Sequence, residues 1–206
     1  MALVKLNNRG VRSATTFGSI TGLGSMIFIK KQTASSSATV DFVDGTSDVV
    51  LDDTYKEYLF TFNNIHPATD SVNFLVNFSI DGGSNYNVAK TTTFFYAYHN
   101  ESGSTSSLEY NTGNDLAQAT GDQKIMENLG NDNDQSGSGT LTLYNPSSTT
   151  FAKHFMSTTQ YYMDAQYSQN AFVAGYCNTT SAVNGVRFVL ESGNIDAGDI
   201  CLYGIN

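Results

Sequence analysis

The sequence predicts an all-β chain: an antiparallel two-sheet β-sandwich, of jelly-roll type, with an extended amino-terminal arm. Three observations predict it. Phe (13), Tyr (12) and Gly (18) are abundant while Pro (2) and charged residues (14%) are scarce, a composition that buries aromatic side chains and exposes uncharged polar ones. Apolar and polar residues alternate in short segments, the period that sends successive side chains to opposite faces of a strand. Clusters of Gly, Ser, Asn and Asp separate those segments as hairpin turns would. A chain of 206 residues fits one such core and leaves too little for two.

In chain order, residues 1–22 come first. They show no sustained period and carry Lys5, Arg9 and Arg12 without a single acidic residue. Such a segment cannot bury enough of itself to order alone, so it is expected to be an attachment arm, with Lys5, Leu6, Asn7, Asn8, Arg9 and Arg12 making the contacts. Residues 23–206 are expected to form the sandwich. "SMIFIKKQTA" and "ATVDFV" open it, and "YKEYLFTFNNI" alternates Tyr58, Phe60 and Phe62 against Leu59, Thr61 and Asn63. "SVNFLVNFSI" is the cleanest half-buried strand, with Val72, Phe74, Val76, Phe78 and Ile80 facing the core and Asn73, Leu75, Asn77 and Ser79 facing away. The "DGGSNY" that follows needs its glycines for the positive φ of a tight turn, and "NVAKTTTFFYAYHN" resumes the strand pattern.

Residues 100–139 break that pattern. They are polar, with one weakly amphipathic piece around Leu116, Ile125 and Leu129, and are expected to be a long excursion holding a helical turn or two; loops of this length in a compact domain are usually functional or partly disordered. Strand signals return in "TLTLYN", "FAKHFMSTTQYYM", "AFVAGYCN", "AVNGVRFVLES" and "GDICLYGIN", for about ten strands in all.

Within this stretch "LTLYNPSSTTFAKHFM" sets Lys153 beside His154, which invites a catalytic reading. Pro146 removes a ladder donor, Ser147–Thr150 supply turn hydroxyls, and alternation then puts Phe151, Lys153 and Phe155 on one face and Ala152, His154 and Met156 on the other. Lys153 and His154 therefore point apart, and the segment is a hairpin.

Lys and Arg number 10 against 19 Asp and Glu, a net charge of −9, so the basic footprint of a nucleic-acid binder is absent. No apolar run approaches the ~20 residues needed to span a bilayer, and no signal-peptide core of ~7–15 apolar residues opens the chain. Assembly in the cytoplasm is expected, without membrane insertion. Cys177 and Cys201 show neither metal spacing nor a CxxC pair and are expected to be buried free thiols.

Nucleophile-elbow, HExxH, P-loop and dinucleotide motifs are all missing. His66, His99 and His154 lie on separate segments, and the carboxylates Asp52, Asp53 and Glu57 cluster without a cleft visible in the sequence, so no enzyme is expected. "DNDQSG" places Asp132, Asp134 and Ser136 at alternate positions before Gly137, like the front half of a calcium loop. Leu143 stands where such a loop has its bidentate glutamate, leaving a weak calcium hypothesis and otherwise no cofactor. Tyr96, Tyr98, Tyr161, Tyr162 and Tyr167 fall near strand ends and are candidate ligand contacts, since tyrosine buries area at low entropy cost; the favoured expectation is that alternate members fill the core.

"GSGTLTLYNPSSTTFAKHFM", "YLFTFNNI", "VNFSIDGGSNY" and "SGNIDAGDICLYGI" together resemble a β-sandwich module of structural proteins from marine tailed phages such as cyanophages and pelagiphages. "ALVKLNNRGVRSAT" resembles the short amino-terminal segment of several of their appendage proteins. The resemblance implies a non-enzymatic virion surface protein, a tail fibre, tail appendage or head decoration, attached to other virion proteins through its arm. It also implies a homotrimer, with contacts expected from residues 100–139. The alternative is a carbohydrate- or receptor-binding module that holds a host-surface glycan.

Overall fold

In the computed structural model, which describes residues 25–206, twelve strands follow in order. They are β1 (Met26–Ser37), β2 (Thr39–Val43), β3 (Glu57–Pro67), β4 (Val72–Ser79), β5 (Lys90–Asn100), β6 (Ser106–Tyr110), β7 (Gln123–Leu129), β8 (Gly137–Tyr144), β9 (Lys153–Met163), β10 (Tyr167–Cys177), β11 (Gly185–Leu190) and β12 (Ile195–Ile205). All pairings between them are antiparallel. The arm expected at residues 1–22, with Lys5, Leu6, Asn7, Asn8, Arg9 and Arg12, lies outside the described residues.

The all-β antiparallel class is as expected, but the strands make one continuous 12-stranded sheet and not two separate ones. Eight strands run side by side as β1-β12-β3-β8-β9-β10-β5-β6, and four as β2-β11-β4-β7. The two groups meet through the single pair Leu129–Met163. Only Ala38 separates β1 from β2, with Ser36 at φ 50 where the chain turns out of one group toward the other. The sheet thus bends back on itself into a nearly closed, barrel-like wall.

Aromatic rings from the two groups meet inside that wall. Phe188 of β11 lies 5.3 Å from Phe60 and 5.1 Å from Phe62 of β3, 6.3 Å from Phe42 of β2 and 5.9 Å from Phe74 of β4. Phe78 of β4 meets Phe155 of β9 at 5.0 Å. The predicted core face of β4 is correct for Phe74, Val76 and Phe78, each fully buried, whereas Ile80 lies past the strand and is 41% exposed. The opposite face departs from expectation: all eight residues of β4 are buried, Asn73, Asn77 and Ser79 included. β4 is hydrogen-bonded on both edges, and its outward asparagines are met by Glu191 and Asn128 N at Asn73 and by Thr120 O and Asp122 at Asn77, as buried amides must be paired.

The 100–139 expectation is corrected most. No helical turn forms there; β6 pairs with β5, and β7 with β4. The spacing of Ile125, Met126 and Leu129, which imitates a helix face, arises from irregular pairing. From Val72 to Phe74 the β7 partner moves from Leu129 to Met126, and from Phe74 to Leu75 it moves from Met126 to Lys124. Each step leaves one extra residue on β7, as in a β-bulge, and the apolar period is displaced accordingly.

Turn chemistry follows the sequence closely. Gly82 and Gly83 have φ values of 70 and 81, and Asp81 closes their loop by accepting from Asn85 N and Asn85 Nδ2 at 2.9 and 2.7 Å. Those bonds hold the Asp81 carboxyl down at about 2. Between β8 and β9, Ser148 Oγ accepts from the backbone of Thr150 and Phe151. Lys153 is fully buried on the Phe155 face and His154 is exposed on the other, so the pair does point apart.

Candidate functional site: a tyrosine cleft

Register divides the five candidate tyrosines. Residues directly opposite on neighbouring strands share a face. Tyr161 of β9, Gln169 of β10 and Tyr98 of β5 form one such row, on the face that buries Phe94, Phe155 and Val173. Tyr96 and Tyr167 share that parity. Tyr162, Ser168 and His99 form the adjacent row, on the outer face. Four tyrosines therefore come together and Tyr162 stands apart from them.

Of those four, Tyr161 is not an accessible contact: it is 1% exposed, and its hydroxyl accepts from Gln169 Nε2 at 2.6 Å. Burial pushes its phenol far above the ordinary range. Its role is to fix Gln169. Above it, Tyr96, Tyr98 and Tyr167 with Glu127, Asn128, Met163 and Gln169 line a cleft of about 260 Å³. The rings brace one another, Tyr96 to Tyr98 at 5.8 Å and Tyr98 to Tyr167 edge-on at 5.6 Å. Tyr96 and Tyr98 donate to the two carboxylate oxygens of Glu109 on β6 at 3.4 and 3.1 Å. The bond to Glu109 raises the Tyr98 phenol, and burial first and then the Glu109 charge raise that of Tyr96. Both remain neutral donors at ordinary pH.

Sequence reasoning missed Glu109, Glu127, Asn128 and Gln169. Glu109 could have been found from Tyr96 and Tyr98 only with the β5–β6 register, since the excursion gives no strand period of its own. Chemically the cleft offers flat aromatic faces rimmed by carboxylate acceptors and amides that both donate and accept. A ligand with an apolar face and a rim of hydroxyls matches that set, because each buried hydroxyl needs a partner while ring faces bury area at low entropy cost.

A second depression of about 460 Å³ lies on the outer face, lined by His99, Glu101, Asp134, Ser136 and Tyr162 among others. Tyr162 donates to Glu101 Oε1 at 2.5 Å, which holds its phenol up at about 12. Of the calcium candidates, Asp134 and Ser136 line it and Asp132 does not. Asp132 is engaged through its backbone, its N–H donating to Gln135 Oε1 at 3.1 Å and its carbonyl accepting from Gln135 N at 2.8 Å. Among the described residues no three His, Cys, Asp or Glu side chains gather as a metal-binding group. Asp52 caps a turn, accepting from Thr54 N at 2.8 Å, and His154 lies 6.3 Å from the Tyr176 ring.

Far from the cleft, at the other end of β10, Cys177 stands between Lys90 of β5 and Lys153 of β9 in one cross-strand row. All three are fully buried, and both Cys177 and Cys201 are free. Burial pushes the Cys177 thiol up to about 12 and the Lys90 ammonium down to about 8, and lowers Lys153 as well. The row is thereby shifted toward neutral thiol and neutral amine.

No family model, curated protein or solved structure matches this chain.

Proposed function

We propose that the chain is a non-enzymatic surface subunit of a tailed-phage particle, a tail fibre, tail appendage or capsid decoration, and that its exposed task is adhesion. A host-surface carbohydrate is the ligand, held in the cleft of Tyr96, Tyr98 and Tyr167 against Glu109 and Glu127. The observation that carries the adhesive reading is that cleft: braced rings, the Glu127 carboxylate and the fixed Gln169 amide in one recess, with Glu109 bonded to Tyr96 and Tyr98 beside it. The particle assignment rests on the strand-and-turn resemblance, with residues 1–22 as the attachment arm. Co-purification tests it: the protein should follow infectious particles through a density gradient, and loss from particles that retain their other structural proteins contradicts it.

A jelly-roll type of winding belongs to the same proposal. The chain changes group at each step from β1 through β5: β1, β3 and β5 lie in the eight-stranded group, β2 and β4 in the four-stranded one. Jelly rolls wind by such alternation.

We further propose a homotrimer built on β6. Among the described residues this strand pairs with β5 alone, and Leu108 and Tyr110, 72% and 52% exposed, share a face with Phe95 of β5. Phe95 and Phe172 stack at 5.0 Å beside them. An exposed apolar patch on an open edge strand is a surface that folded proteins normally cover. Leu108→Glu is expected to convert the trimer to monomer at micromolar concentration, read by sedimentation velocity. A monomeric wild type contradicts the proposal.

A further inference from the structure

Lys90 and Asn77, both buried, and Asp122 at the surface end form a hydrogen-bonded chain that adhesion does not use. Lys90 Nζ donates to Asn77 Oδ1 at 2.7 Å and to Val88 O at 2.8 Å. Asn77 Nδ2 donates to Asp122 Oδ1 at 2.7 Å and to Thr120 O at 3.2 Å, while Phe78 N donates to Asn77 Oδ1 at 2.8 Å. These partners fix the amide's orientation, since Asp122 Oδ1 and Thr120 O accept and Phe78 N donates. Lys90 is fully buried and Asn77 is 1% exposed. Among the described residues the ion pairs are made by Lys31, His66 and Arg187, and Lys90 has no carboxylate at ion-pair distance.

We propose that Lys90 and Asn77 join in an intramolecular isopeptide bond, with Asp122 as the proton relay, so that β4 and β5 become covalently linked. The amine nitrogen attacks Cγ of Asn77, a C–N bond forms, and the Cγ–Nδ2 bond breaks. Once Nζ is bonded to Cγ beside Nδ2, one proton passes from it through the Asp122 carboxylate, which already touches Nδ2, and Nδ2 leaves as ammonia. Amine plus carboxamide gives secondary amide plus ammonia, and no oxidant or reductant is required.

The geometry serves each step. Nζ lies 2.7 Å from Oδ1 and, one C=O bond of about 1.2 Å further, at most about 3.9 Å from Cγ, close to the separation of a near-attack arrangement. As a neutral amine Lys90 has two hydrogens for its two acceptors and a lone pair without a partner, which rotation about Cε–Nζ turns toward Cγ. Desolvation activates lysine as a nucleophile in this way, and burial here pushes the ammonium down to about 8. Phe78 N–H already polarises the carbonyl and is placed to hold the oxyanion. Asp122 Oδ1 touches the nitrogen that must leave. The product ties the four-stranded group, through β4, to the eight-stranded group, through β5, a link that resists pulling the two apart. The bond does not depend on what the cleft binds.

The test is the intact mass of the folded full-length protein. It should be lighter than the sequence mass by one ammonia. Cleavage on the amino side of aspartates should leave fragments 70–80 and 81–114 joined despite the cut before Asp81. Asp122→Asn, a change at a largely exposed side chain, should fold, as judged by circular dichroism, and keep most of its ammonia. A wild-type protein at full sequence mass overturns the proposal, as does ammonia loss with the two fragments separating, which is cyclisation without a cross-link. A folded Asp122→Asn protein that cross-links as completely as wild type overturns the relay.

Discussion

Phe188→Ala is expected to lower the unfolding free energy by ~3–5 kcal/mol, the range for emptying a buried aromatic site. The ring has zero exposure and touches Phe42, Phe60, Phe62 and Phe74, two on its own group of strands and two across the core. Those neighbours sit on rigid, hydrogen-bonded strands, so the cavity cannot collapse far. Single aromatic pairs add only about 0.5–1.5 kcal/mol beyond area burial, which makes the shared position of Phe188, and not any one pair, the source of the effect. Urea denaturation read by tyrosine fluorescence checks it. A loss below about 1 kcal/mol would show that the two groups of strands do not pack as described.

Gly139→Ala is expected to cost about 3 kcal/mol, the upper end for overpacking. Gly139 lies in β8 opposite Phe62 and Thr159, where an added Cβ would run into the Thr158 carbonyl oxygen and stand 2.7 Å from Thr159 Cα. Both obstacles are backbone and cannot rotate away. Gly137→Ala is the control, because its Cβ would meet mainly the flexible end of Met126, and a smaller drop in Tm should follow. Equal Tm values for the two variants would mean that β9 yields at Gly139.

Period-two alternation made much of this fold legible before any coordinates. It placed Phe74, Val76 and Phe78 in the core and set Lys153 on the Phe155 face away from His154, because regular strands convert sequence parity directly into facing. It failed at β7, where two extra residues against β4 turn a strand into a helix-like spacing. It also misjudged Asn73 and Asn77: a polar parity normally faces solvent, but on β4 it is buried and met by Glu191, Asn128, Thr120 and Asp122, which no reading of β4's own residues shows. The tyrosines show the same limit. Their parity was readable, yet which parity was exposed depended on register among β5, β9 and β10. Glu109 entered the cleft only through a strand that the polar excursion concealed. Single glycines such as Gly139 carry no local sign of whether backbone or a movable side chain lies opposite.

The central claim, adhesion through the tyrosine cleft, is tested most directly by binding of the full-length protein to an array of bacterial surface polysaccharides, with wild type and Tyr98→Ala compared. Tyr98 is partly exposed and braces Tyr96 and Tyr167 at the rim, so its removal spares the core. Wild type is predicted to retain a defined subset of glycans, recovered uncut, and Tyr98→Ala to bind them at least ~10-fold more weakly, the loss of one anchoring aromatic, with an unchanged Tm. A wild type that holds no glycan, or a variant that holds the same glycans equally well, would contradict the account.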